Sequence, residues 1–254
     1  MIGRVDAACR AAGVGYIPVL PADPAAGDVL AARVAAGFHA GGVVVRVMSP
    51  LGVSTLADLA QALATVRSLG LRPVQADVVC DCGFIPDTGA AAGAAGALIV
   101  QLARALTQGW RSVTALAGAV PATLAKVEPA GRVRVGRHDA AMFRQLAFAV
   151  DFGDFGLASP QQAPLDSTPA AAALWWNTGD NWVGYPMVGL SDSDLYRRVA
   201  DDGFLRGAES AGSAEVAHRA GGDGVVSAAT SDVLRWATSH HVATVIRRLS
   251  RGAA

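Results

Sequence analysis

The strongest constraint on this chain is a rhythm. Over roughly the first 120 residues, short apolar runs alternate with segments whose apolar residues recur at helical spacing. The run at 15–20, closed by Pro21, predicts a first strand, and Asp28 then opens a helical pattern through Val29, Leu30, Arg33, Val34 and Phe38. A second strand is expected over 43–47. Thr55 and Asp58 have the spacing of a capping box, after which Leu56, Leu59, Leu63, Val66 and Leu69 repeat on one helix face until Gly70 stops them. A third strand over 76–82, a helix reaching about Leu106 with Gly109 behind it, and a strand over 112–116 complete the series. Successive strand-helix units imply parallel strands joined by right-handed crossovers. The expected fold class is therefore α/β, built as a parallel-stranded (β/α) barrel or a partial TIM-like barrel.

Past Pro121 the pattern loosens but still alternates. A helix is expected over 139–147 with Asp139 as its N-cap, a strand over 148–152 and another over 174–177. The small, polar, glycine-rich stretch 208–224 reads as a loop or a degraded element. Ser231 caps a last helix with Leu234, His241, Val245 and Leu249 on one stripe, and Arg247, Arg248 and Arg251 suit the negative end of its dipole. The Ala/Gly run at 89–96 lacks Gly-x-Gly-x-x-Gly spacing and reads as a loose helix start, not a phosphate loop. A helical pattern over 5–12 ends at Gly13 before the first strand. About six strands can be counted where a full barrel has eight, so residues 1–254 are read as one barrel-like domain missing one or two leading units.

Composition narrows the chemistry. Hydrophobic residues make up 52% and charged residues 17%, against roughly 25% charged in an ordinary soluble domain, so much of the chain should be buried or lie against a partner. The 21 basic and 21 acidic residues cancel, which leaves no global field to draw nucleic acid or an anionic membrane. Lys126 is the only lysine, so a Schiff base would have to form there, and no phosphate loop ending in Gly-Lys-Ser/Thr occurs. Three cysteines, Cys9, Cys80 and Cys82, fit a reducing, cytoplasmic compartment and not a disulfide framework. Glycine, proline or charge interrupts every long apolar stretch, and Arg4 and Asp6 stand where a signal peptide's apolar segment would begin, so no membrane association is expected.

The candidate site residues fall at strand ends. Arg46 interrupts a valine strand and should meet an acid or a ligand. Asp81 is placed alike on the third strand and Asp154 just past the fifth, so the three can converge where parallel sheets bind ligands, or form a structural ion pair. Cys80 and Cys82 flank Asp81 and point to the other face, as packing residues and not metal ligands. Arg137 and Asp139 frame His138 just before a helix, with Arg137 a second anion contact. His240 and His241 lie mid-helix on different faces, so at most one should enter a given site, as a general base or a buried structural histidine. Trp175, Trp176, Asn177, Asp180, Asn181 and Trp182 form a cluster suited to stacking a ring or to packing under a loop. Gly-x-Ser-x-Gly, His-Glu-x-x-His and calcium-loop signatures are missing.

The order Ile17-Pro18-Val19, Val79-Cys80-Asp81-Cys82-Gly83-Phe84-Ile85, Arg137-His138-Asp139, Phe152-Gly153-Asp154-Phe155-Gly156 with Pro160, and His240-His241 resembles the beta protein family of bacteriophages and bacterial genomes. The resemblance spans most of the chain, and its most specific parts are the Phe-Gly-Asp-Phe-Gly run and the histidine pair. It implies a phage or mobile-element association and a family N-terminal segment that this chain lacks. Where the family tends to show Arg-Tyr-Thr, this chain has Trp176-Asn177-Thr178.

Beside the reading of a shortened, inactive relative whose missing strands leave an open sheet edge, two functions remain in view. One is a barrel that binds or acts on a polar, anionic small molecule, with Arg46, Arg137, Asp139, Trp176, Asn177 and Trp182 as ligand contacts and Asp81, Asp154, His240 and His241 as acid/base groups. The other is a phage-related or defence-related accessory protein that works through a protein partner or self-association. No cofactor is specified by the sequence.

Overall fold

A computed structural model describes residues 2–49, 56–122, 131–161, 173–186, 192–203, 210–221 and 230–252. Thr55, Lys126 and the side chains of Ser231 and Leu249 lie outside the described residues. The chain divides into two compact units: Met1–Ala117 with Ala141–Asp154, and Gly118–Ala140 with Phe155–Ala254.

The first unit realises the strand-helix rhythm. Helix α1 (Ile2–Ala12) precedes strand β1 (Val19–Pro21), followed by α2 (Ala26–His39), β2 (Val43–Met48), α3 (Leu56–Ser68), β3 (Ala76–Phe84), α4 (Thr88–Thr107) and β4 (Ser112–Gly118). After β5 (Val133–Gly136) and α5 (His138–Arg144), β6 (Asp151–Asp154) joins the same sheet, in the order β1-β2-β3-β4-β6. The β1–β2, β2–β3 and β4–β6 pairs are parallel. The glycines expected to stop α1, α3 and α4 do so with positive φ at Gly13, Gly70 and Gly109. Asp87 caps α4 by accepting from the Ala90 N–H at 2.8 Å.

Alternation decides which side of this sheet is covered. Leu20, Val43, Val45, Val47, Ala76, Val78, Cys80, Cys82, Val113, Ala115 and Ala117 are buried in one core with Ala32, Leu59, Ala62, Val66, Leu98 and Leu102 of the helices. The residues between them on the strands face the other way and are half-buried or exposed, apart from Asp81. Helix α4 is long and apolar enough to cross a membrane by length and composition alone; it lays Ala91, Ala94, Leu98, Leu102 and Ala105 into this core.

A mainly parallel α/β sheet is thus present. Barrel closure is not seen among the described residues, where β1 and β6 are the outer strands. The expected continuation of the rhythm beyond Pro121 needs correction. In the second unit β5, β7 (Ala173–Asn177) and β8 (Asn181–Pro186) form an antiparallel sheet in the order β5-β8-β7. The reason lies in the turn Asn177-Thr178-Gly179-Asp180-Asn181. Gly179 takes a φ of +90°, its N–H donates to Asn177 Oδ1 at 2.8 Å, and the Thr178 N–H donates to the Asn181 carbonyl at 2.9 Å. That turn chemistry makes a tight hairpin, which can join only antiparallel strands.

Helices α6 (Asp192–Asp201), α7 (Ala211–Gly221) and α8 (Thr230–Gly252) complete this unit. The stretch expected as a loop therefore contains a helix: its small residues serve packing. A Cβ on Gly212 would lie 2.0 Å from the Trp236 carbonyl oxygen, so α7 closes on α8 through that glycine. Three smaller corrections follow. Asp139 lies inside α5 and not at its cap, β6 starts three residues later than the run at 148–152 suggests, and the buried stripe of α8 is Val233, Trp236, Ala237, His240 and His241, with Leu234 exposed.

Candidate functional site

The predicted site residues separate into two clusters, one in each unit. In the first unit, strand register places Met48 beside Asp81 and Arg46 beside Val79. Arg46 Nε donates to Asp81 Oδ2 at 2.5 Å, and Arg46 Nη2 pairs with the same oxygen. Asp81 Oδ1 accepts from the N–H of Gly83 at 2.8 Å, which its φ of +68° turns back toward the carboxylate. The Asp81 side chain is 0% exposed, whereas that of Arg46 is 39% exposed. The acid is thus a buried anchor that holds a guanidinium partly in solvent, near the carboxyl end of two adjacent parallel strands. Behind it, the Ser49 N–H donates to the Asp81 carbonyl at 2.6 Å, and Ser49 Oγ donates to Gln101 Oε1 of α4 at 3.2 Å.

Asp154 does not join this pair. Its register partner is Ala117, on the helix-packed face, and Phe152 of the same strand stacks edge-on against Phe143 of α5. Asp151 and Gly153 are the β6 residues that share the face of Arg46, and a Cβ on Gly153 would meet Thr114 and Leu116 at 3.1 and 3.2 Å. The expected convergence of three strand-end residues fails because Asp154 is one residue out of phase with Asp81. Cys80 and Cys82 are buried on the helix side, as expected, and burial pushes the Cys80 thiol up to about 12, so it is no nucleophile.

In the second unit, both histidines meet one asparagine. Asn177 ends β7, a strand whose residues alternate between two packed faces: Leu174 and Trp176 on one, Ala173 and Trp175 on the other. His240 stacks on Trp176 at 4.1 Å and His241 on Trp182 at 4.8 Å. The dipeptide therefore straddles the sheet. Neighbouring helix residues do diverge, but a sheet offers two faces, and each ring takes one. The hydrogen bonds fix the tautomers. Since Asn177 Oδ1 accepts from Gly179, its Nδ2 donates to His241 Nδ1 at 2.8 Å, which places the His241 ring N–H at Nε2. His240 Nε2 donates to the Asn177 carbonyl at 2.7 Å, and its Nδ1 accepts from Ser213 Oγ of α7 at 2.8 Å. Burial lowers the His240 pKa to about 4. Both nitrogens are engaged and the ring is neutral near pH 7.

Arg137 and Asp139 form a two-pronged ion pair, with Nε and Nη2 donating to the carboxylate at 2.8–3.1 Å and both side chains at most 2% exposed. The guanidinium lies 5.0 Å from the Trp182 ring. This assembly of Arg137, Trp182, His241, Asn177, His240 and Trp176 is a closed aromatic and polar core. The indole N–H groups of Trp176 and Trp182 are buried in it without a hydrogen-bond partner among the described residues. Ser213, which orients His240, escapes sequence reasoning because it lies in a stretch with the composition of a loop. Among the described residues no group of three or more His, Cys, Asp or Glu side chains is placed to hold a metal.

No curated protein and no solved structure matches this chain. The model of one protein family, Beta protein, matches residues 2–247, which include both clusters and the motifs that suggested the resemblance. The chain therefore belongs to the Beta protein family.

Proposed function

We propose that this protein binds, and can act on, a polar anionic small molecule at the carboxyl edge of β2 and β3, with Arg46 as the anion contact and Asp81 as the acid that orients it. One observation carries this reading: an arginine side chain that is 39% exposed is fixed by a fully buried carboxylate on the sheet face turned away from the apolar core of the first unit. The sequential strand order, without a reversal, supports a barrel-like winding, and barrels use this edge for ligands. A phage or mobile-element setting and a reducing, cytoplasmic compartment complete the proposal; the three free cysteines fit the latter.

The test is a thermal-shift screen of nucleotides, sugar phosphates and small organic acids, repeated with Arg46→Ala. A ligand at about 100 times its Kd should stabilise the protein by roughly 2.7 kcal/mol, and the variant should lose that gain. An unchanged melting profile across the whole screen sinks the reading. A second reading, a protein that works through a partner, is favoured by Leu30, Val34 and Phe38, spaced four residues apart on α2 and each more than half exposed. Concentration-dependent self-association, lost in Leu30→Glu, is its expected signature.

A further inference from the structure

The exposed ridge of α2, which favours the partner reading that this inference rests on, is symmetric in size about Val34. Leu30, Val34 and Phe38 lie one turn apart on one helix face and are 63%, 51% and 62% exposed. The residues just inside the outer two are small. Ala31 is half-buried, and Gly37 is exposed, with nothing within 4 Å of where its Cβ would stand. Outward from Val34, either direction thus gives a small residue after three positions and a large one after four. A face with the same profile from both ends can meet its own copy across a two-fold axis, as an isologous interface requires. Two such helices crossing at Val34 would let each Leu30 and Phe38 enter the gap left by Gly37 or Ala31 of the other.

Size admits either direction of pairing; charge selects one. Asp28, in the first turn of α2, has no side-chain hydrogen bond or ion pair among the described residues. At the other end of the ridge the Arg10 guanidinium of α1, tied to Asp6 through Nη2 and 33% exposed, lies 4.1 Å from the centre of the Phe38 ring. Antiparallel pairing brings Asp28 of each copy to the Phe38 end of the other, beside Arg10, and opposes the two helix dipoles; parallel pairing does neither. Arg33, whose like charges would meet near the axis, is held off the face by donating to the Ser68 carbonyl. We infer that the α2 face pairs with the same face of a second copy in an antiparallel two-fold dimer centred on Val34. The three large side chains leave about 350 Å² open on each copy, so the pair buries roughly 700 Å² through them, under the about 1,200 Å² of stable complexes, and the dimer is reversible.

Sedimentation of the full chain across a wide concentration range tests this, with Gly37→Leu as the deciding variant. Its side chain has open space in a single copy but fills the gap that Leu30 of the other copy needs. The native chain should pass reversibly from monomer to dimer, and Leu30→Glu and Gly37→Leu should each weaken pairing by at least about tenfold. Asp28→Asn should weaken it by about two- to fivefold, chiefly at low salt. In a Cys9→Ser background, Val34→Cys should oxidise to a covalent dimer. Leu30→Cys should not, because antiparallel pairing sets the two Leu30 positions about 12 Å apart along the helix. Ready cross-linking through Leu30→Cys, or a dimer lost in Leu30→Glu but unaffected by Gly37→Leu, would overturn the antiparallel dimer and leave association through α2 standing. A chain that stays monomeric at every concentration, or a dimer that Leu30→Glu does not weaken, would remove the partner reading as well.

Discussion

At the scale of single residues, the two charged pairs behave oppositely because their exposure differs. Arg46→Ala leaves the Asp81 carboxylate buried with the Gly83 N–H as its remaining partner among the described residues, at a cost of about 2 to 3 kcal/mol. Urea unfolding of the variant beside the native protein measures that deficit. His240 supplies a pH dependence. Its pKa is near 4 in the fold against about 6.5 unfolded, so the unfolded chain takes up a proton first as pH falls. Stability should drop by about 1.4 kcal/mol per pH unit at most, approaching 3 kcal/mol between pH 6.5 and 4, and His240→Gln should abolish that slope. Thiol labelling offers a third check: Cys80 and Cys82 are buried and Cys9 is partly exposed, so one of three cysteines should react in the native protein and all three in denaturant.

At the scale of elements, two helix glycines invite contrasting substitutions. Gly212 of α7 touches the backbone of Trp236, which cannot yield as a flexible side chain would, so Gly212→Ala should separate α7 from α8 and destabilise the protein by more than about 2 kcal/mol. Gly93 of α4 is exposed, and a methyl added there would meet nothing within 4 Å, so Gly93→Ala should raise stability by about 0.5 to 1 kcal/mol. Chemical denaturation of the pair separates a glycine required by close approach from one that is not. The same contrast explains why the helix within 208–224 is hidden in the sequence. Composition shows that glycine and alanine are abundant there, but whether a glycine loosens a helix or admits a neighbour depends on an element far along the chain. The hairpin of β7 and β8 is more legible: Asn177-Thr178-Gly179-Asp180-Asn181 carries its own turn signal between two tryptophan-bearing runs.

For the whole molecule, acid response should come in two stages. His240 responds first; the carboxylates held down by partners follow at lower pH, Asp77 by Arg111 and Asp6 by Arg10 and then His39. Their stabilisation is present above about pH 4 and is lost as pH falls through their lowered values, so His240→Gln should remove the first stage of an acid titration and leave the second. The sequence by itself determined the local terms: strands rich in valine, helices spaced by leucine and stopped by glycine, an arginine that had to find an acid, and cysteines turned away from Asp81. These depend on a few neighbouring residues and on the periods of helix and strand. Tertiary structure alone decided the rest. Strand pairing added the distant β5 to the β7–β8 hairpin, a one-residue phase put Asp154 on the opposite face from Asp81, and the edge of β7 let His240 and His241 share Asn177 from two sides. Each of these turns on which distant segments meet and in what register, and that is set by the packing of the whole chain, not by any short stretch of it.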